Sequence, residues 1–258
     1  MTSEPRPTRW DWRPKLRWFA AEYLIVVLGV LTAVGINAGW GDREDRAREH
    51  RHLHQLAADL RETARLTAEV DAAQLGPDRA GGQIWAAFYA ADPPPRDSLF
   101  AWRAELARVG RARPVLGTVE ALVATGDLGL VRDDSLRTAI AAYLETARRQ
   151  LDSQEEQRRI WWAGLDRLDR GLDLIEAYHQ AWGQARVEAA VEGSPSYPPL
   201  GETRVRFPLD AEAFLSDREL LGAAWRMTRA KDELRSLRAA MRDDALALLR
   251  RIETHTES

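Results

Sequence analysis

The densest set of metal-capable side chains in the chain is His50, His52 and His54. His50 and His54 share a helix face at i,i+4, a spacing that can chelate a divalent cation. No third protein ligand stands out, and Arg48 and Arg51 oppose a cation, so the residues predict a solvated helix face and no metal site. Asp133 and Asp134 put two carboxylates side by side, but neighbours in sequence do not face one another on a helix, and acids followed by Ser135 predict a helix start with capping side chains. The glycines from Gly126 to Gly129 follow no predicted strand, which argues against a phosphate loop. The absence of cysteine removes thiolate ligands, disulfides and cysteine nucleophiles together. With no nucleophile, metal set or cofactor loop, the chain reads as a non-enzyme that needs no cofactor.

Polar chemistry inside an apolar stretch is the other signal. Glu22 and Asn37 sit within or at the edges of WFAAEYLIVVLGVLTAVGINAGW, and with Gly29 and Ala33 they fall near one helix face. Gly35 to Gly39 is a small-xxx-small match on a neighbouring face. Small residues let helix backbones approach in a bilayer, and a polar side chain there bonds across the interface. Glu22, Gly29, Ala33, Gly35, Asn37 and Gly39 are therefore the candidate interface of a self-associating span. A second reading places Glu22 and Asn37 at the pore of a small oligomeric channel or transport accessory.

The element that must position these residues is a transmembrane helix over 18–40. Its 23 residues would extend about 34 Å, enough to cross a hydrocarbon layer of about 30 Å. Trp18 and Trp40 stand at its two ends, where amphipathic rings favour the headgroup layer. Residues 1–17 form a short basic tail with Arg6, Arg9, Arg13, Lys15 and Arg17, and three prolines oppose regular structure in it. The charged start and the small residues Ala33-Val34-Gly35 also fit a cleavable signal peptide. Trp40, and the lack of a break before the next helix, favour a retained anchor. The positive-inside rule then puts the tail in the cytoplasm and the body in the periplasm, against a smaller set at Arg43, Arg46, Arg48 and Arg51.

Residues 41–258 read as an all-α body, a long-helix bundle or coiled coil continuing the span. Long helices are predicted at about 42–75, 135–190 and 217–253, with short helices over 78–126. Leu53, Leu56, Leu60, Thr63, Thr67 and Val70 recur at three- and four-residue steps. Gly76-Pro77 predicts the end of that helix, with Asp78 capping the next over 79–90. Leu136, Ile140, Tyr143, Ala147 and Leu151 open a second stripe that reaches Trp161, Leu165, Leu168, Leu172, Ile175, His179 and Trp182. Residues 192–208 carry four prolines and predict a loop. Ser216 to Glu219 fits a capping box before a final stripe of Leu220, Ala224, Met227, Leu234, Met241, Ala245, Leu248 and Ile252. Trp161, Trp162, Trp182 and Trp225 are expected to pack between helices, and the short helices to cap one end of the bundle.

The 37 basic and 40 acidic residues are interspersed and nearly cancel, which argues against a nucleic-acid partner, whose affinity needs a clustered basic surface. Lysine occurs only at Lys15 and Lys231, a bias that genome composition explains without a function.

The stretches EYLIVVLGVLTAVGINAGW and TGDLGLVRDDSLRTAIAAYLE together resemble an uncharacterised bacterial family of single-span membrane proteins, a domain of unknown function. The matching positions are Glu22, Gly29, Ile36, Asn37 and Trp40 in the span, then Leu130, Val131, Asp133, Asp134, Ser135, Leu136 and Arg137. The resemblance covers roughly residues 15–150. The chain departs from the family pattern at Gly35, where glutamine often stands. The resemblance implies a membrane placement and a helical body, and carries no activity. Sequence and resemblance converge on a scaffold, interaction or sensor protein of the bacterial inner membrane. Its expected partners are the lipid bilayer, further copies of itself and an envelope protein.

Overall fold

The computed structural model describes residues 13–171 and 209–257. Every element among them is helical: α1 (Arg13–Ala87), α2 (Arg96–Leu106), α3 (Gly117–Thr125), a 3-10 turn (Asp127–Leu130), α4 (Asp134–Asp169), α5 (Ala211–Ser216) and α6 (Arg218–Glu257). The class is all-α, as the periodicity predicts. Among the described residues no helix is long and apolar enough to cross a membrane. Most side chains of 18–40, including those of Trp18, Glu22, Ala33, Gly35, Asn37 and Gly39, lie outside the described ones, as do the tail over 1–12 and the predicted loop over 192–208.

The chain divides into two units, residues 1–52 and 53–258, and the division falls inside α1. In the first unit α1 carries the large apolar side chains of the predicted span and then a charged segment laced by the pairs Arg46 with Asp42 and Arg48 with Asp45.

In the second unit α1 from Leu53 onward, α4 and α6 form a three-helix bundle. Contacts along the helices set its direction. Arg61 pairs with Glu253, Asp71 with Arg238 and Asp78 with Lys231, so α6 runs antiparallel to α1. Gln150 bonds Asp244 and Arg167 pairs with Glu219, so α6 is antiparallel to α4 as well. The core residues follow the helical repeat: Leu136, Ile140, Tyr143 and Ala147 on α4, and Leu220, Ala224 and Met227 on α6, are buried at alternating three- and four-residue steps.

Apolar burial separates into two clusters. One joins Leu53, Leu56 and Leu60 to Val119 and Leu122 of α3, Ile140 and Leu144 of α4, and Ala245, Leu248 and Ile252 of α6. The other joins Ile84 and Ala87 to Leu99, Phe100 and Leu106 around α2, Trp161, Leu165 and Leu168 of α4, Phe214 of α5, and Leu220 and Met227 of α6. The short helices are thus shared between the two ends; they do not cap one end as expected.

Three boundaries differ from the sequence reading. Gly76-Pro77 does not end a helix: α1 continues to Ala87, and Asp78 lies inside it instead of capping a new one. An interior proline costs about 3 kcal/mol. Here its ring is buried, and the residues beyond it, Ala80, Ile84 and Ala87, are buried too, at about 1.5–3 kcal/mol for a side chain the size of isoleucine. Packing outweighs the local signal. The second long helix stops at Asp169 instead of running to about 190, and the chain turns at Gly171, where an added Cβ would crowd the Phe214 ring and Leu220. Residues 172–190, with Ile175, His179 and Trp182, lie outside the described residues. Finally, Asp217 and not Ser216 caps α6: its Oδ1 accepts from the backbone N–H groups of Glu219 at 2.7 Å and Leu220 at 3.3 Å, while Ser216 closes α5.

Candidate functional site

Between the two apolar clusters the bundle is polar. The heptad positions that would carry leucines hold Thr63, Thr67, Asp71, Gln74 and Asp78 on α1, Gln150 and Gln154 on α4, and Lys231 and Arg238 on α6. Such groups persist in a core only when hydrogen-bonded or paired, because an unpaired buried charge is expensive.

Most find partners across elements. Arg238, 2% exposed, donates from Nε to Asp71 Oδ1 at 2.6 Å. Lys231, 4% exposed, donates from Nζ to Asp78 Oδ1 at 3.4 Å, a longer and weaker contact. Gln150 Nε2 donates to Asp244 Oδ2 at 2.8 Å, and Gln154 Nε2 to the Ala112 carbonyl at 3.3 Å. Thr63 Oγ1 accepts from the Val115 backbone N–H at 2.9 Å and donates to the Asp59 carbonyl. The loop after α2 is drawn against the belt at Gly110, where a Cβ would stand 2.8 Å from Val70 Cγ1 and 3.0 Å from Gln74 Nε2. Only glycine fits that approach.

Burial shapes the protonation of the belt. Removal from water pushes the Lys231 amine down from 10.5 to about 8, opposed by the Asp78 carboxylate and assisted by the Arg238 charge. Burial pushes the Tyr143 hydroxyl up to about 12, with Asp244 and Asp59 adding to the effect.

A lysine with a lowered pKa is a potential nucleophile. Lys231 is too enclosed for a substrate, so its chemistry is positional. Asp71 and Asp78 are seven residues apart, as are Lys231 and Arg238. Sliding α6 by one heptad along α1 would leave one cation and one carboxylate in the belt unpaired, at about 3–5 kcal/mol where that cation is Arg238 and less where it is Lys231, which can release its proton. The two ion pairs therefore fix the antiparallel register of α1 and α6.

The residues singled out from sequence fare unevenly. Gly29 lies on α1, and a Cβ built there meets nothing within 4 Å. Trp40 is exposed. Asp133 is the cap of α4, accepting from the N–H groups of Ser135 at 2.7 Å and Leu136 at 3.1 Å, and these groups with the Ser135 hydroxyl hold its carboxyl below the usual range. Gly126 closes α3 with φ of 80°, a left-handed conformation that favours glycine. Among the described residues no group of three His, Cys, Asp or Glu side chains is placed to hold a metal. Trp161 is fully buried, whereas Trp162 and Trp225 are about half exposed and do not pack between helices as expected. Lys231 and Arg238 went unrecognised in the sequence. Their signal is the seven-residue gap from Met227 to Leu234, and again from Leu234 to Met241, in an otherwise regular stripe.

Comparison with known families, with curated proteins and with solved structures finds no match to this chain.

Proposed function

We propose that this chain is a single-span, membrane-anchored scaffold or sensor whose helical body is held rigid by the buried ion pairs, and that its span associates with further copies of itself. The observation that carries the reading is the surface of α1 in the first unit. Tyr23, Leu24, Val26, Leu28, Val30 and Trp40 are between 57% and 74% exposed, and no charge occurs from Tyr23 to Gly41. These side chains point to several sides of the helix. A helix apolar all round belongs in a core or a bilayer. Covering each such side chain is worth about 1.5–3 kcal/mol, so water is a poor solvent for this surface. Thr32 supports the same reading, because its hydroxyl donates to the Leu28 carbonyl at 2.7 Å and needs no water.

Self-association is supported by Gly29, open on its side-chain face, and by the spacing of Ala33, Gly35 and Gly39 with Glu22 and Asn37. On this reading Trp18 and Trp40 mark the two headgroup layers, the tail is cytoplasmic and the body periplasmic. The resemblance to the single-span bacterial family points the same way. The test is chemical crosslinking of the full-length protein in native membranes. The parent is expected to give a dimer or higher species that Gly29→Leu removes. An identical crosslinking pattern for the two proteins refutes the packing of spans through this face.

A further inference from the structure

At one end of the bundle the start of α4 and the last turns of α6 enclose an open groove of about 580 Å³. Arg250 and Arg251 line it, with Leu136 and Ala247 among its apolar walls. Among the described residues neither guanidinium is paired with a carboxylate, although many other arginines of the chain are. Asp133, the acid on the groove wall, is already engaged: Oδ1 caps α4 and Oδ2 stands 3.8 Å from His255 Nδ1. The Ser135 and Leu136 N–H groups at the start of α4 are likewise taken by that carboxylate, so the arginines are the groups left to hold an anion here.

We propose that this groove takes the phosphate headgroup of an anionic phospholipid. Guanidinium forks match phosphate oxygens, and the volume is that of a small-molecule site, larger than a lone ion needs. Leu136 and Ala247 offer apolar contact to the glycerol carbons. Position selects the source of the phosphate. Leu53 shares a cluster with Leu136 and Ile252, so the groove is at the bundle end where the chain arrives from residue 52. Only 13 residues of chain separate Trp40 from Leu53, so the tether to the proposed span enters the body at this end. The inference rests on the membrane-anchored reading.

The test uses the full-length protein in nanodiscs, with Ala247→Cys as its single cysteine carrying an environment-sensitive dye. Discs of phosphatidylcholine alone are compared with discs that also contain phosphatidylglycerol. The dye is expected to respond to phosphatidylglycerol, and Arg250→Gln with Arg251→Gln is expected to weaken the response about 30-fold, from about fivefold for each basic residue near an anionic surface. Arg229→Gln with Arg235→Gln, exposed on α6 away from the groove, should leave it unchanged. An equal response to inorganic phosphate in phosphatidylcholine discs overturns the lipid assignment, as does an equal loss in the control variant. Incorporation into discs with no response to phosphatidylglycerol overturns the groove inference alone, whereas failure to enter discs overturns the anchored reading beneath it.

Discussion

Removing the acidic partner from each buried ion pair should have different consequences, because the two cations have different escapes. A guanidinium does not shed its proton in a protein, and that of Arg238 is buried, at 2% exposure, against Asp71 at 2.6 Å. Asp71→Ala leaves that charge buried and unpaired, which costs about 3–5 kcal/mol at pH 7 and again at pH 9. Lys231 can instead release its proton. Its folded pKa is about 8, so deprotonation at pH 7 costs about 1 kcal/mol, and this caps the electrostatic loss in Asp78→Ala. At pH 9 the amine is already mostly neutral and the loss should nearly vanish. Lys231→Met combined with Asp78→Leu, which replaces the whole pair by apolar side chains of similar volume, should be neutral or stabilising. The assay is denaturant unfolding of the full-length protein in non-ionic detergent, followed by tryptophan fluorescence, with buried Trp161 among the reporters. If Asp78→Ala costs as much as Asp71→Ala and is insensitive to pH, the amine is not shedding its proton and the reasoning fails.

Stability of the parent should itself depend on pH with two opposite slopes. Above pH 8 the folded Lys231 has lost a proton that the unfolded side chain keeps to about 10.5, so the unfolded state binds more protons and the denaturation midpoint should rise. Above pH 10 the unfolded Tyr143 ionises while the folded one, pushed up to about 12, does not, so the midpoint should fall; a profile flat from pH 8 to 11 contradicts both assignments. Gly164→Ala should destabilise by about 1–3 kcal/mol, since an added Cβ would overlap Met227 and stand 3.3 Å from the Ala223 carbonyl. Gly222→Ala, where the nearest atom is Arg226 Nη1 at 3.6 Å, should instead gain up to about 1 kcal/mol in the same unfolding assay. Asp217→Ala should lose about 1 kcal/mol as the cap of α6, and Ser216→Ala should lose little; equal effects would restore the serine cap.

Helix class and the buried stripes of α4 and α6 were legible because one face of each helix meets the core over many turns, so periodicity accumulates. Asp133 was legible as a cap because its signal is local. Pro77 misled for the converse reason: the penalty is local and visible, while the burial of Ile84 and Ala87 that offsets it comes from α2, α4 and α6 and is not. Ser216 misled because a six-residue helix, α5, ends on it, and one residue shifts the cap. The polar belt was half legible. Lys231 and Arg238 hold the heptad phase of α6, but a charge at a core position can be recognised only once Asp78 and Asp71 stand opposite, and their pairing spans 153 and 167 residues of sequence. The groove beside Arg250 joins the start of α4 to the end of α6 and leaves no local pattern at all.

The central claim is that residues 18–40 cross a membrane with the body on the outer side. The chain lacks cysteine, so one introduced thiol reports one position. Ser3→Cys and Ser258→Cys proteins, expressed in bacteria, are treated as spheroplasts with a membrane-impermeant maleimide before and after lysis. The account predicts labelling of Ser258→Cys in intact spheroplasts and of Ser3→Cys only after lysis. Labelling of both before lysis, or of Ser3→Cys alone, contradicts it.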